Sequence, residues 1–346
     1  MTLASTSTGQ RSQALDMAKG IAIILVVYGH CLRGLLSANI VPPDSGLVLT
    51  DYVIYTFHMP VFFFISGLFF AGSRDKPAGS FWLGRLRMIV YPYFLWSLVQ
   101  GTIQVALSGS SAVNATVGAD RLLEILWVPI SPFWFLYALF FCNVLAYVLA
   151  MLRTDMLAAG AFIAFVALHF AGAGVVGDIA YGFFYFTLGM LARERIWLTL
   201  LPVSRMATGA LCASFLLAAV GAYYAGIPER LPVLAAILGI AAMLALCARL
   251  EQSKSFEGLC GLLALLGQFS MSIYVLHILV LGFVRTVLLR FMGIDDPAIL
   301  IPTATVAAIA IPVLIQMAAI RLHLNDLLGL PSSVKIKPIR RQAVNS

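Results

Sequence analysis

The sequence predicts an all-α, polytopic membrane helix bundle of about ten transmembrane helices, with both termini cytoplasmic. Three observations carry this. Of 346 residues, 61% are apolar and 11% charged, with a mean hydropathy of +0.97. A soluble domain is roughly half apolar and about one quarter charged, so a water-soluble core of this composition would lack the polar surface to cover it. Second, ten stretches approach the length of about 20 apolar residues that crosses a bilayer. Third, seventeen of the 22 lysines and arginines fall on one side of the resulting ladder, the bias expected of cytoplasmic segments.

The spans are expected near 15–36, 50–72, 86–107, 133–152, 157–175, 178–192, 206–225, 231–249, 261–289 and 298–320. The fifth and sixth are short and separated by the Gly-rich GAGVVGD. LLEILWVP (122–129) is too short to span and is placed in the interface. The polar start MTLASTSTGQRSQ and the full-length run behind it argue for a first span rather than a cleavable signal. Residues 1–14 then form a cytoplasmic segment, 15–321 a single transmembrane domain, and 322–346 a basic cytoplasmic tail suited to anionic lipid. The five isolated cysteines lack a CxxC spacing and exclude a disulfide scaffold. The net charge of +7 and pI of about 9.3 are spread over loops, so nucleic acid is not an expected partner.

Ionisable groups inside a span are costly and mark functional candidates. His30 in LVVYGHC, His58 in YTFHMPVFFFISG and His277 in SMSIYVLH stand in spans one, two and nine. Each lies about fifteen residues from its cytoplasmic end, or about 22 Å at 1.5 Å per residue. Three sequence-distant histidines at one depth suggest one polar site. The alternative is that each bridges helices by a hydrogen bond. No carboxylate or cysteine accompanies them at ligand spacing, so no metal is expected. His169 reads as structural and His323 as solvated.

Span one also carries Asp16 and Lys19, three apart on one face at the cytoplasmic edge. Lys19 and His30 are eleven apart and share that face within about 20°. Such a face could bind an anion near the cytoplasm and transfer a proton deeper in. A positive-inside lysine paired to Asp16, with a separate structural histidine, fits the spacing as well. Arg85 and Arg87 open span three in FWLGRLRMIVYPYFLWS. They read either as membrane anchors or as a phosphate-binding pair for a cytoplasmic donor. Trp134 begins span four at the outer interface, as a belt residue or a stacking platform for a sugar.

Five segments in order, LDMAKGIAIILVVYGH, FHMPVFFFISGLFF, RLRMIVYPYFLWS, FWFLYALFF and GQFSMSIYVLH, resemble the integral-membrane acyltransferase-3 family, in its branch similar to fucose 4-O-acetylases. The family's first-span hallmark is Arg, ten residues, then His. Here Lys19 takes the Arg position, which keeps the cation but not bidentate anion binding. Arg85-x-Arg87 is tighter than the family's usual arginine pair. The resemblance implies O-acyl transfer, usually of acetyl from cytoplasmic acetyl-CoA, to a hydroxyl of an extracytoplasmic or lipid-linked glycan at the bacterial inner membrane. It implies His30 as catalytic, with Lys19, Arg85 and Arg87 supporting donor binding; Asp16, on the same helical face as Lys19, is grouped with the catalytic set. His58, His277 and Trp134 are left for the substrate. The expected partners are acetyl-CoA, a surface or lipid-linked glycan and membrane lipid, and a homo-oligomer is compatible with this. Two other classes compete: a secondary transporter of a small anion, although no paired broken helices are evident in corresponding halves, and a non-catalytic scaffold subunit.

Overall fold

Residues 13–108, 118, 120–201 and 204–332 are described by the computed structural model. The N-terminal segment through residue 12 and the basic tail from residue 333 lie outside the described residues. Among the described residues all regular structure is helical. This is the economical solution where lipid offers no partner to a backbone N–H or C=O.

The chain begins with α1 (Gln13–Ser37) and α2 (Leu47–Arg74), then α3 (Ala78–Arg85), a π-helical turn (Leu86–Val90) and α4 (Tyr91–Ala106). A single turn, α5 (Arg121–Glu124), precedes α6 (Trp134–Val148), α7 (Thr154–Phe170) and α8 (Gly174–Glu194). Then come α9 (Arg205–Tyr224), α10 (Val233–Glu251), α11 (Glu257–Gln268), α12 (Ser270–Thr286) with a π-helical extension (Val287–Phe291), and α13 (Pro297–Arg321). Each of the ten expected spans has a helical counterpart. Seven are long and apolar enough to cross a membrane alone: α1, α2, α8, α9, α10, α12 with its extension, and α13. The shorter apolar helices α6 and α7 have 15 and 17 residues.

Three details depart from the sequence reading. The sixth span, expected short at 178–192, is the 21-residue α8, because the Gly-containing 174–177 and the polar Arg193 and Glu194 are also helical. The third span is not uniform: the π turn at Leu86–Val90 joins α3 to α4. The ninth is interrupted at Phe269, which ends α11 and starts α12. In the segment 122–129 Leu123, Leu126 and Trp127 are exposed, whereas Ile125 is buried.

Helix α1 is the axis of the molecule. It packs along α11 and also touches α2, α10, α12 and α13, while α2 packs along α8. Lipid tails are as apolar as leucine, so such pairs gain most from close backbone approach at small residues. Two reciprocal glycine contacts provide it. A Cβ on Gly20 would overlap the Leu263 carbonyl, and one on Gly267 the Asp16 carbonyl, which locks α1 to α11. Gly67 and Gly189 likewise face the carbonyls of Phe186 and Phe64 and lock α2 to α8.

The cation bias also sets an expected orientation. A reporter inserted after Ala78 should read cytoplasmic and one after Asp44, between α1 and α2, external. The reverse pattern would overturn the assignment of both termini to the cytoplasm.

Candidate functional site

Helices α1, α2 and α12 each deliver one histidine, and the fold brings them together. The His30 and His277 rings lie with centroids 5.1 Å apart, tilted by 50°. Tyr55, one turn before His58 on α2, links the third: its ring is 6.3 Å from His30 and 4.6 Å from His58, edge-on to both. His58 and His277 are buried, whereas His30 is partly accessible. The glycine preceding His30 has a steric function. A Cβ on Gly29 would come within 2.7 Å of Tyr55 Cε2, so its absence lets the tyrosine ring lie against α1.

Two of the three imidazoles have their tautomer fixed by the helix that carries them. His58 Nδ1 lies 2.7 Å from the Ile54 carbonyl. His277 Nδ1 lies 2.7 Å from the Tyr274 carbonyl and 3.1 Å from that of Ile273. A carbonyl oxygen only accepts, so Nδ1 carries the hydrogen, and in the neutral ring Nε2 carries the lone pair. His277 Nε2 is buried without a hydrogen-bond partner among the described residues. Tyr274 anchors this turn by donating to the Pro132 carbonyl at 2.5 Å.

Above the histidines, one turn after His30, Arg33 forms a network missed by the sequence reading. Its Nε and Nη2 donate to Asp51 at 2.9 and 2.8 Å, and Nη2 donates to Glu229 at 2.5 Å. Its guanidinium carbon stands 3.1 Å from the Tyr55 ring centroid. Arg33 and Asp51 lie at helix ends and Glu229 in the connection before α10, where charge is unremarkable in sequence, and Tyr55 passes for an interfacial aromatic.

Near the N-terminal end of α1, Lys19 Nζ lies 2.7 Å from Asp16 Oδ1. Asp16 is buried where α11 closes against α1. Arg85 and Arg87 do not share a direction. Arg85 turns inward, donating from Nε to Asn143 Oδ1 at 2.6 Å and lying 4.7 Å from the Phe81 ring centroid. Arg87 is exposed. Two residues apart in a helix point to nearly opposite sides. Asn143 was a findable residue, since it is a lone amide inside LFFCNVLA and is buried. Trp134 does not reach the histidines directly. It lies 5.2 Å from the Arg230 guanidinium, which pairs with Asp178, and 6.2 Å from the Phe63 ring. His169 lines a neighbouring surface pocket of about 210 Å³ together with Asp178, Tyr181 and Arg230.

Among known proteins, the chain is 31% identical over 147 residues to the nodulation protein NolL of Mesorhizobium japonicum, covering 41% of this chain and 37% of that protein. It is 29% identical over 199 residues to NolL of Sinorhizobium fredii, covering 56% and 51% respectively. The matched regions thus span about half of these relatives or less. No solved structure matches. A family profile described as an acyltransferase domain matches residues 12–317, which include every residue of the histidine cluster. The chain belongs to this acyltransferase family, acyltransferase-3, and is a multi-pass helical membrane protein.

Proposed function

We propose that this protein is a membrane O-acyltransferase that moves acetyl from cytoplasmic acetyl-CoA to a sugar hydroxyl of an extracytoplasmic or lipid-linked glycan, at the inner membrane of a bacterium. The observation that carries the reading is the gathering of His30, His58 and His277 inside the bundle, with only His30 partly accessible. Imidazole carries a lone pair that is suited to taking a proton from a hydroxyl. As His30 accepts that proton, the hydroxyl oxygen bonds to the thioester carbonyl carbon. The carbon–sulfur bond then breaks, and His30 returns the proton to the departing thiolate. His277 offers a lone pair beside His30 and supports the bound hydroxyl or the His30 ring.

The cytoplasmic cations suit the donor. Lys19, Arg85 and Arg87 approach the membrane from the side where the phosphates of acetyl-CoA arrive, and Trp134 marks the outer side where a sugar ring would stack. Charge-assisted hydrogen bonds are worth about 1.5–3 kcal/mol each. Replacing Arg85 and Arg87 together by Ala should therefore weaken acetyl-CoA binding at least about tenfold, read by titration of the purified protein. Arg87→Ala alone keeps the Arg85–Asn143 bond and isolates the exposed cation. Unchanged affinity in the folded double variant would return both arginines to membrane anchoring.

Purified protein given labelled acetyl-CoA, with membranes carrying the glycan, should place label on the glycan. The interruption at Phe269 favours one competing reading, since transporters build sites at broken helices. Solute uptake into proteoliposomes without acetyl-CoA would support that reading instead.

A further inference from the structure

The base proposed above leaves the other half of acyl transfer unassigned. When an oxygen attacks a thioester, negative charge gathers on the carbonyl oxygen, and a preorganised hydrogen-bond donor at that point is commonly the largest single aid to the reaction. His58 and His277 are poorly placed to supply it from their free edges. Both commit the Nδ1 hydrogen to a backbone carbonyl and present an acceptor at Nε2.

Tyr55 is the complement. Its hydroxyl oxygen is buried and has no hydrogen-bond partner among the described residues. It lies 3.4 Å from the point where a Gly29 Cβ would stand, against α1 and one residue from His30. The ring cannot drift, because Gly29 receives one edge and the Arg33 guanidinium covers a face at 3.1 Å. Arg33 is itself held by Asp51 and Glu229. A cation over the ring draws electron density from it and makes the O–H a stronger donor. Buried polar atoms are satisfied in the great majority of cases, so an unpaired donor held this firmly beside a base calls for a function.

Resting on the acyl-transfer reading, we propose that Tyr55 is a catalytic residue whose hydroxyl donates a hydrogen bond to the carbonyl oxygen of the transferring acyl group. The carbonyl π electrons move onto that oxygen as the new carbon–oxygen bond forms, and Tyr55 holds the charge. The C=O bond is restored as the carbon–sulfur bond breaks. Tyr55 keeps its proton throughout, and the proton of the acceptor hydroxyl travels through His30 to the thiolate.

Tyr55→Phe tests this, because it removes the hydroxyl and keeps the ring that packs on Gly29 and Arg33. Label transfer from acetyl-CoA to membrane glycan should fall by about 10²–10³ in kcat, the usual loss for one oxyanion donor. The KM for acetyl-CoA should stay within about threefold, since the bond strengthens only as charge develops. The thermal midpoint of the detergent-solubilised variant should equal or exceed that of the parent, because the lost oxygen had no partner to forfeit. A variant that turns over within about threefold of the parent overturns the proposal. So does a lowered thermal midpoint, which would make the hydroxyl structural. His30→Gln, assayed alongside, separates the two levels. An inactive His30→Gln with an active Tyr55→Phe removes only the tyrosine's role, whereas an active His30→Gln removes the acyl-transfer reading of the site.

Discussion

Replacing His30 by Gln is expected to lower acetyl transfer by about 10²–10⁴-fold, the usual contribution of a general base, with the bundle still folded. The argument turns on what an amide can and cannot do. Gln can donate and accept hydrogen bonds, so it can keep a helix-bridging contact toward His277 or α2. It cannot take a proton at neutral pH. His30→Ala should be equally inactive. A structural histidine gives the opposite pattern: Ala would destabilise the bundle by about 1 kcal/mol, the scale of interhelical hydrogen bonds in membranes, while Gln retained substantial activity. Lys19→Arg is the internal control at the other end of the helix. It keeps the cation beside Asp16 and should remain active where Lys19→Ala fails. The measurement is label on glycan per folded protein, and substantial turnover by His30→Gln would sink the catalytic assignment.

That the histidine cluster is legible in the sequence follows from the membrane itself. Lipid makes an ionisable side chain in a span so unfavourable that its presence is a signal, and equal counts from the cytoplasmic edge placed three histidines at one depth. The same rule would have singled out Asn143. It could not find Tyr55, because an aromatic phenol is unexceptional near a membrane interface, and only the packing against Gly29 shows that its hydroxyl faces inward. Nor could it find Arg33 with Asp51 and Glu229, since their meeting depends on how α1, α2 and the connection between α9 and α10 come together. The helical class and the order of the apolar helices came from length and hydropathy. The break at Phe269 and the π turn at Leu86–Val90 did not: LRMIV carries neither glycine nor proline, and Gly267 before Phe269 packs against α1 rather than adopting a helix-ending conformation. The arginine pair shows the converse limit: sequence adjacency does not tell that Arg85 turns to Asn143 and Arg87 outward.

Gly67→Leu is expected to eliminate most of the folded protein. The nearest atoms to a Cβ at Gly67 are the Phe186 carbonyl and the Met190 amide nitrogen, all backbone, and at Gly189 they are the Phe64 carbonyl and the Leu68 nitrogen. Flexible side chains can rotate away from an added group, but two helix backbones must move apart as rigid bodies. Overpacking commonly costs about 1–3 kcal/mol where side chains can adjust, and a contact that cannot adjust should lie at or above the top of that range. The displacement also reaches the site, because α2 carries both Tyr55 and His58. Gly72, five residues later on the same helix, is exposed and has nothing within 4 Å of its Cβ position. Gly72→Leu should therefore leave the protein monodisperse on size exclusion, and its thermal midpoint should stay close to the parent's, because leucine is the better helix former. If the two substitutions behaved alike, the α2–α8 backbone contact would not be what holds the pair together. If Gly67→Leu alone fails and Gly67→Ala is intermediate, the loss scales with the volume forced between the helices, as close glycine packing requires.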